Sequence, residues 1–231
     1  MPKKQAKKTC IISLGGSLIV PDGVDYRFIK KFRELILKKV KNGNKFIIVC
    51  GGGRLNSKYN EAGKKVRKLS NEELDWIGIY ASRYNAQFVK ILFGDLACDE
   101  ININPHQKIL TKKPILIGAA YKPGWSTDYD AVYLAKTYGA KSVANLSNID
   151  YAYDKDPKKY KDAVPIKNIS WKDFRKIVGN KWEPRMNKPF DPIASREAEK
   201  LGLEVVILNG KKLKNFENYL DGEKFVGTVI K

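Results

Sequence analysis

The sequence predicts an α/β protein, a three-layer αβα sandwich around a mostly parallel open sheet. Short apolar runs rich in β-branched residues alternate with helix-length amphipathic segments, and glycines follow several of those runs at once. No linker, internal repeat or low-complexity block divides the chain, so residues 9–231 read as a single domain behind a basic tail at 1–8.

TCIISL at 9–14 reads as a strand ended by Gly15, Gly16 and Ser17. Phe28, Ile29, Phe32, Leu35, Ile36 and Val40 then recur at helical spacing, and Gly43 stops the pattern. KFIIVC at 45–50 is a second strand running into Gly51, Gly52 and Gly53, with a helix beginning around Leu55. Ser70 and Glu73 form a capping box that opens a long helix through Leu74, Ile77, Tyr80 and Tyr84, ending near Gly94. A strand at 114–117 meets Gly118, and 128–138 reads as a helix followed by a strand at 142–146. Ser170 with Asp173 caps another helix by the same reciprocal logic. A helix at 191–201, a strand at 204–208 and a final strand at 224–230 carrying Gly227 complete the alternation.

Composition narrows the function classes. With 231 residues, 43% hydrophobic and 11% aromatic, the chain can bury a substantial core. It contains no run of about 18 apolar residues that could span a bilayer. The tail MPKKQAKKTC is basic but meets a short strand instead of a secretory apolar region, so we expect a disordered tail and a cytoplasmic protein. Cys10, Cys50 and Cys98 lie far apart with no CxxC or Cys/His cluster, which excludes zinc and disulfide frameworks and suits core thiols in a reducing compartment. The net charge of +19 favours polyanionic partners of any kind. The lysines are spread along the chain without a nucleic-acid-binding motif, so a solvated basic surface is the preferred reading over RNA or DNA contact.

Three strand ends carry small, glycine-rich loops: LGGS at 14–17, GGGR at 51–54 and KPGWSTD at 122–128. Glycine lets backbone N–H groups approach a phosphate, and a following helix adds a favourable dipole. One such loop could simply be a tight turn; three at the carboxyl ends of parallel strands point to a phosphate site. Neither GxxxxGK[ST] nor a GxGxxG opening a strand-loop-helix unit is present, which excludes a P-loop protein.

Those loops, together with NIDYAYDKDP at 148–157, come in the order and spacing of the amino-acid-kinase family, which the chain resembles over nearly its whole length. DWIGI at 75–79, RYNA at 83–86 and PGWSTD at 123–128 resemble the UMP kinases of that family, the archaeal type above all. The resemblance implies transfer of the ATP γ-phosphoryl group to UMP with Mg²⁺, an N-terminal acceptor half, a C-terminal ATP half, and a hexamer built from dimers. It places Gly16 and Ser17 at the ATP phosphates, Gly52 at UMP, Gly53 at ATP and Asp75 at the acceptor ribose. Tyr121, Lys122, Pro123, Gly124, Trp125, Ser126 and Thr127 match the loop that grips UMP. Ser147, Asn148, Tyr153 and Asp156 match positions around the ATP base and ribose. Gly15 completes the first phosphate loop, and no residue is assigned as a metal ligand.

Several positions depart from the family pattern. Ser13 stands where many relatives have lysine, Ser57 where archaeal relatives have arginine, and Tyr151 where a glycine is usual. KPFDPIA at 188–194 lacks the C-terminal lysine of acetylglutamate-type kinases, and residues 181–190 are bulky. Arg54 or Lys58 is the candidate cation in place of the missing lysines. The same departures leave open a noncatalytic member that binds nucleotides or oxyanions. The one histidine, His106, has no matching acid–base partner, and transfer to an already anionic phosphate needs none. Ser126 or Asp128 as simple helix caps, and Tyr153 as ordinary packing, are the structural alternatives at those positions.

Overall fold

The computed structural model describes residues 9–157, 159–179, 181 and 188–231. The basic tail at 1–8 and residues 182–187 of the bulky stretch lie outside the described residues. The chain first forms β1 (Thr9–Leu14), α1 (Gly16–Ile19), α2 (Tyr26–Lys41), β2 (Lys45–Cys50), α3 (Gly53–Val66) and α4 (Asn71–Phe93). It continues through β3 (Ala97–Asn102), β4 (Ile115–Gly118), α5 (Thr127–Tyr138) and β5 (Ser142–Ser147). A small antiparallel pair follows, β6 (Ala152–Tyr153) with β7 (Pro165–Ile166). The last elements are β8 (Asn168–Ile169), α6 (Trp171–Val178), α7 (Pro192–Lys200), β9 (Glu204–Asn209), α8 (Leu213–Asp221) and β10 (Thr228–Ile230).

One 8-stranded sheet runs β3-β4-β2-β1-β5-β9-β10-β8, and both halves of the chain contribute strands to it. The pairs from β3 to β9 are parallel, β10 lies antiparallel to β9, and β8 is parallel to β10. Successive side chains point to opposite faces and both faces are covered, so the central strands carry apolar residues on both faces. Ile12, Leu14, Phe46 and Ile48 pack with Phe32 and Ile36 of α2, Val89 of α4 and Phe216 of α8. Ile11, Ile47, Val49 and Val143 pack with Val132 of α5, Phe174 of α6 and Ala194 of α7 on the other face. The three cysteines are buried, as core thiols should be.

Most helix starts follow their sequence signals. Ser70 and Glu73 make the full capping box, with Glu73 N–H donating to Ser70 Oγ and Ser70 N–H to Glu73. At α6 the reciprocity differs from the expectation: Asp173 N–H donates to Ser170 Oγ, and the Ser170 hydroxyl, not its backbone, donates to the Asp173 carboxylate. The shorter Asp side chain does not reach back to the cap amide as Glu does. Several elements went unread in the sequence, among them the two-residue strands β6, β7 and β8. The strand β3 is a polar edge segment whose register with β4 shifts between Ala97 and Ile101. The helix α8 and the single turn α1 were likewise not anticipated. The final strand is shorter than expected, Thr228–Ile230, because residues 224–227 form the connection from α8.

The winding positions the site. From β1 the chain moves outward through β2 on one side, then crosses to β5 on the other, so the strand order reverses at β1. Such a switch point leaves a crevice outside the carboxyl ends of the strands. The glycine loops that follow β1 and β2 and the turn that follows β5 all open there.

Candidate functional site

The glycine loops of β1 and β2 cross in near contact. A Cβ on Gly16 would lie 2.1 Å from Gly53 N, and one on Gly53 would lie 2.2 Å from Gly16 O. Gly53 also sits at φ +61, in the left-handed region that favours glycine. Neither position tolerates a side chain, which explains this glycine pair physically. Buried residues of α4 orient the second loop: Asn85 Nδ2 donates to Gly51 O at 2.8 Å and Gly52 O at 3.2 Å, and Ser82 Oγ donates to Cys50 O at 2.7 Å. Because a trans peptide points its N–H opposite its C=O, these bonds turn the Gly52 and Gly53 amides away from α4.

The first loop divides its amides. Gly15 N–H donates to Leu146 O at 2.9 Å, and Gly51 N–H to Leu14 O at 3.0 Å. Gly15 therefore ties β1 to β5 and does not present its amide to a phosphate. Gly16 and Ser17, at the start of α1, have no backbone acceptor for their N–H groups among the described residues.

On the acceptor side a cavity of about 200 Å³ is lined by Gly52, Asp75, Trp125, Ser126 and Thr127, all anticipated, and by Asn56, Asn60 and Ser82, which were not. The loop at 119–126 that forms one wall is held from several directions. Ala120 N–H donates to Ser82 Oγ at 2.9 Å, and Arg83 donates to the carbonyls of Ala120 and Tyr121 at 3.3 and 2.9 Å. Gly124, at φ +80, donates its N–H to Asp75 Oδ2 at 2.8 Å. Asp75 thus latches the loop with one oxygen while lining the cavity. Tyr121 and Trp125 join His106 and Tyr133 in an aromatic cluster, with Lys122 Nζ 4.8 Å from the Trp125 ring centre. His106 packs edge-on, 4.5 Å from Tyr133, and burial, then Lys122 and Lys136, hold its pKa below the usual value. It is an exposed member of that ring cluster. Tyr121, Lys122, Pro123 and Gly124 belong to the loop but do not line the cavity.

On the other side a cavity of about 420 Å³ gathers Ser147, Asn148, Tyr153 and Asp156, together with Tyr151, Lys155 and Lys188. Tyr151, the residue in place of a usual glycine, forms part of its wall without filling it. Of the two candidate cations, Lys58 is committed: its ammonium donates to the backbone oxygen of Asp22 at 2.9 Å and pairs with its carboxylate at 2.9 Å. Arg54 is exposed at the start of α3, with no ion pair among the described residues.

Asp128 joins β1, β5 and the start of α7, where the sequence suggested only a cap. Its Oδ1 accepts from Ser13 Oγ at 3.0 Å and Asn145 at 3.4 Å, and its Oδ2 accepts from Asp191 N–H at 3.3 Å. Burial and then the neighbouring Asp191 carboxylate push its pKa up to about 7. Asp191 itself caps α7 through Ile193 and Ala194, and the fully buried Asp130 accepts from Tyr121 N–H; burial raises the pKa of both. The cap of α5 is Ser126, whose Oγ accepts from Tyr129 N–H. Ser13, where many relatives have lysine, is the residue that meets Asp128 from β1.

Two cavities flanking crossed glycine loops at the switch point of a doubly covered parallel sheet define an α/β phosphate- or nucleotide-binding protein. Residues 8–209 match the amino acid kinase family, and the chain belongs to that family. It is similar to the uridylate kinase of Staphylothermus marinus, 32% identical over 224 residues that cover 96% of this chain and 98% of that protein. The uridylate kinase of Methanobrevibacter smithii is 31% identical over 226 residues, 95% of this chain and 97% of that one. Among solved structures, uridylate kinase from Archaeoglobus fulgidus matches with a TM-score of 0.80 at 26% identity, covering 97% of this chain and 100% of that one.

Proposed function

We propose that this chain is a UMP kinase, transferring the γ-phosphoryl group of ATP to UMP to give UDP and ADP. The carrying observation is the pair of cavities on either side of the Gly16/Gly53 crossing, one containing Asp75 and the 119–126 loop, the other Ser147, Asn148, Tyr153 and Asp156. UMP occupies the first and ATP the second, so their phosphates meet over the glycines. Residues 9–231 act as one unit, with the acceptor held by the N-terminal half and ATP by the C-terminal half.

Catalysis here is positioning and charge stabilisation, because the acceptor phosphate needs no general base. Amides of Gly16, Ser17, Gly52 and Gly53 orient phosphate oxygens, the positive end of α3 favours them, and Arg54, directly after Gly53, supplies a cation. Asp75 accepts hydrogen bonds from ribose hydroxyls while bracing Gly124. Among the described residues no three His, Cys, Asp or Glu side chains converge as a metal cage. Mg²⁺ would arrive on the nucleotide phosphates, with Asp128, held by Ser13 of β1 and Asn145 of β5, the carboxylate offered to it. When bound, Mg²⁺ offsets phosphate charge.

No helix among the described residues is long and apolar enough to cross a membrane, in keeping with a cytoplasmic enzyme of pyrimidine nucleotide synthesis. Trp76, Tyr80, Tyr84 and Ile91 are exposed along α4 and offer the apolar face that assembly into a homo-oligomer, a hexamer by resemblance, requires. The noncatalytic alternative rests on Tyr151, Ser57 and the 181–190 stretch, and Tyr151 leaves the donor cavity the larger of the two. ADP release measured with UMP, CMP and AMP as acceptors tests the proposal. UMP should be strongly preferred; no turnover of UMP with Mg·ATP would discard it.

A further inference from the structure

A separate cavity of about 230 Å³ lies at the opposite end of the sheet from the glycine loops. Its floor is made by the first or second residues of four strands, Cys10 of β1, Phe46 of β2, Ser142 of β5 and Glu204 of β9. The last turns of two helices form its walls, α2 at Lys39 and α8 at Tyr219, followed by Gly222, Glu223 and Phe225. We propose that this cavity is a second ligand site, built for a small organic cation bearing an amino or guanidino group.

In a chain of net charge +19, Glu204, Glu217, Asp221 and Glu223 gather around this one end. Two helix C-termini add partial negative charge from their carbonyl groups. The place already holds one ammonium group: Lys39, only 3% exposed, donates to both oxygens of Asp221 at 2.7 Å and pairs with Glu217 at 3.4 Å. Lys38 and Lys214 reach Glu217 from the exposed side. Those pairs consume Asp221 and Glu217, while Glu204 and Glu223 carry no ion pair among the described residues and remain for a ligand.

The neutral lining fits the same ligand. Tyr219 and Phe225 meet edge to face at 5.2 Å, providing aromatic surface for an aliphatic or guanidinium body. Ser142, 8% exposed, receives only a long 3.5 Å hydrogen bond from the Tyr219 hydroxyl, which leaves its oxygen a free acceptor for an N–H donor. At about 230 Å³ the cavity has room for a linear diamine or a guanidino amine.

Calorimetric titration of the full chain with agmatine at low ionic strength tests the assignment, with sodium acetate as the anionic control. One saturable agmatine site per chain is expected, with affinity falling about tenfold or more in the Glu204→Gln/Glu223→Gln double variant. Agmatine should also raise the melting temperature of wild type but not of the variant, which must itself melt cooperatively; Glu204→Asp, which keeps the charge, covers the case in which it does not. Absence of saturable binding up to about 10 mM, equal affinity in the double variant, or preferential binding of acetate would each overturn the proposal. The titration needs neither UMP nor ATP, so its failure and failure of the kinase reading are distinguishable.

Discussion

Substitution of Asp75 separates two jobs that the structure gives one carboxylate. One oxygen accepts from Gly124 N–H at 2.8 Å and braces the acceptor loop, and the side chain also lines the acceptor cavity. Asp75→Asn keeps a carbonyl oxygen for Gly124 but removes the charge offered to ribose hydroxyls. A hydrogen bond to a charged group contributes about 1.5–3 kcal/mol, so UMP affinity should fall roughly ten- to hundredfold. Asp75→Ala loses the brace as well, a further ~0.5–1.5 kcal/mol, and should bind UMP about two- to tenfold more weakly than the Asn variant. ATP affinity should stay at the wild-type value in both, because its cavity shares no lining residue with Asp75. Calorimetric titration of each nucleotide reads all four quantities. UMP affinity unchanged within about twofold in Asp75→Asn would refute the placement of the ribose.

Other substitutions test neighbouring parts of the account. Arg54→Ala should lower kcat by about ten- to hundredfold through lost charge stabilisation, while Lys58→Ala, whose ammonium is held by Asp22, should leave kcat within about twofold; the reverse ranking in steady-state assays would exchange their roles. Gly53→Ala places a methyl against Gly16 O at a φ of +61, so it should destabilise the fold by more than about 1 kcal/mol and abolish turnover, as read by denaturant melts and assay. Asp128 has a folded pKa of about 7 against 3.8 unfolded, so the fold disfavours its charged form. Its contribution is intact below pH 3.8 and is lost as pH rises toward about 7. Melting temperatures between those limits should fall less steeply in Asp128→Asn; parallel profiles would contradict the shift.

The elements that were legible in the sequence were those whose local signals and packing agree. The runs at 9–14 and 45–50 are apolar at almost every residue because the sheet is covered on both faces, and Ser70 with Glu73 closes its capping box as written. The strand β3, ACDEIN, carries no such pattern: it is an edge with a shifted register, and its pairing with β4 decides its state. The helix α8 does hold Leu213, Phe216 and Leu220 at helical spacing, a signal present but outweighed by its short length. At the site, motif loops announced Gly52, Asp75 and the 121–127 segment. Asn56, Asn60, Ser82 and Asn85 sit inside helices with no local mark of function, and only the packing of α3 and α4 against the glycine loops brings them there. Asp128, Asp191 and Ser13 meet across 178 residues of sequence (191 − 13), so their coupling is a property of topology.

The central claim is that the two cavities deliver phosphate to phosphate across the glycine crossing. A single-turnover reaction of the purified chain with γ-³²P-labelled ATP, Mg²⁺ and UMP tests it most directly. Label should leave ATP and appear in UDP, in step with ADP and without release of inorganic phosphate. Label that stays in ATP, or that emerges only as inorganic phosphate while UMP is bound, would contradict it.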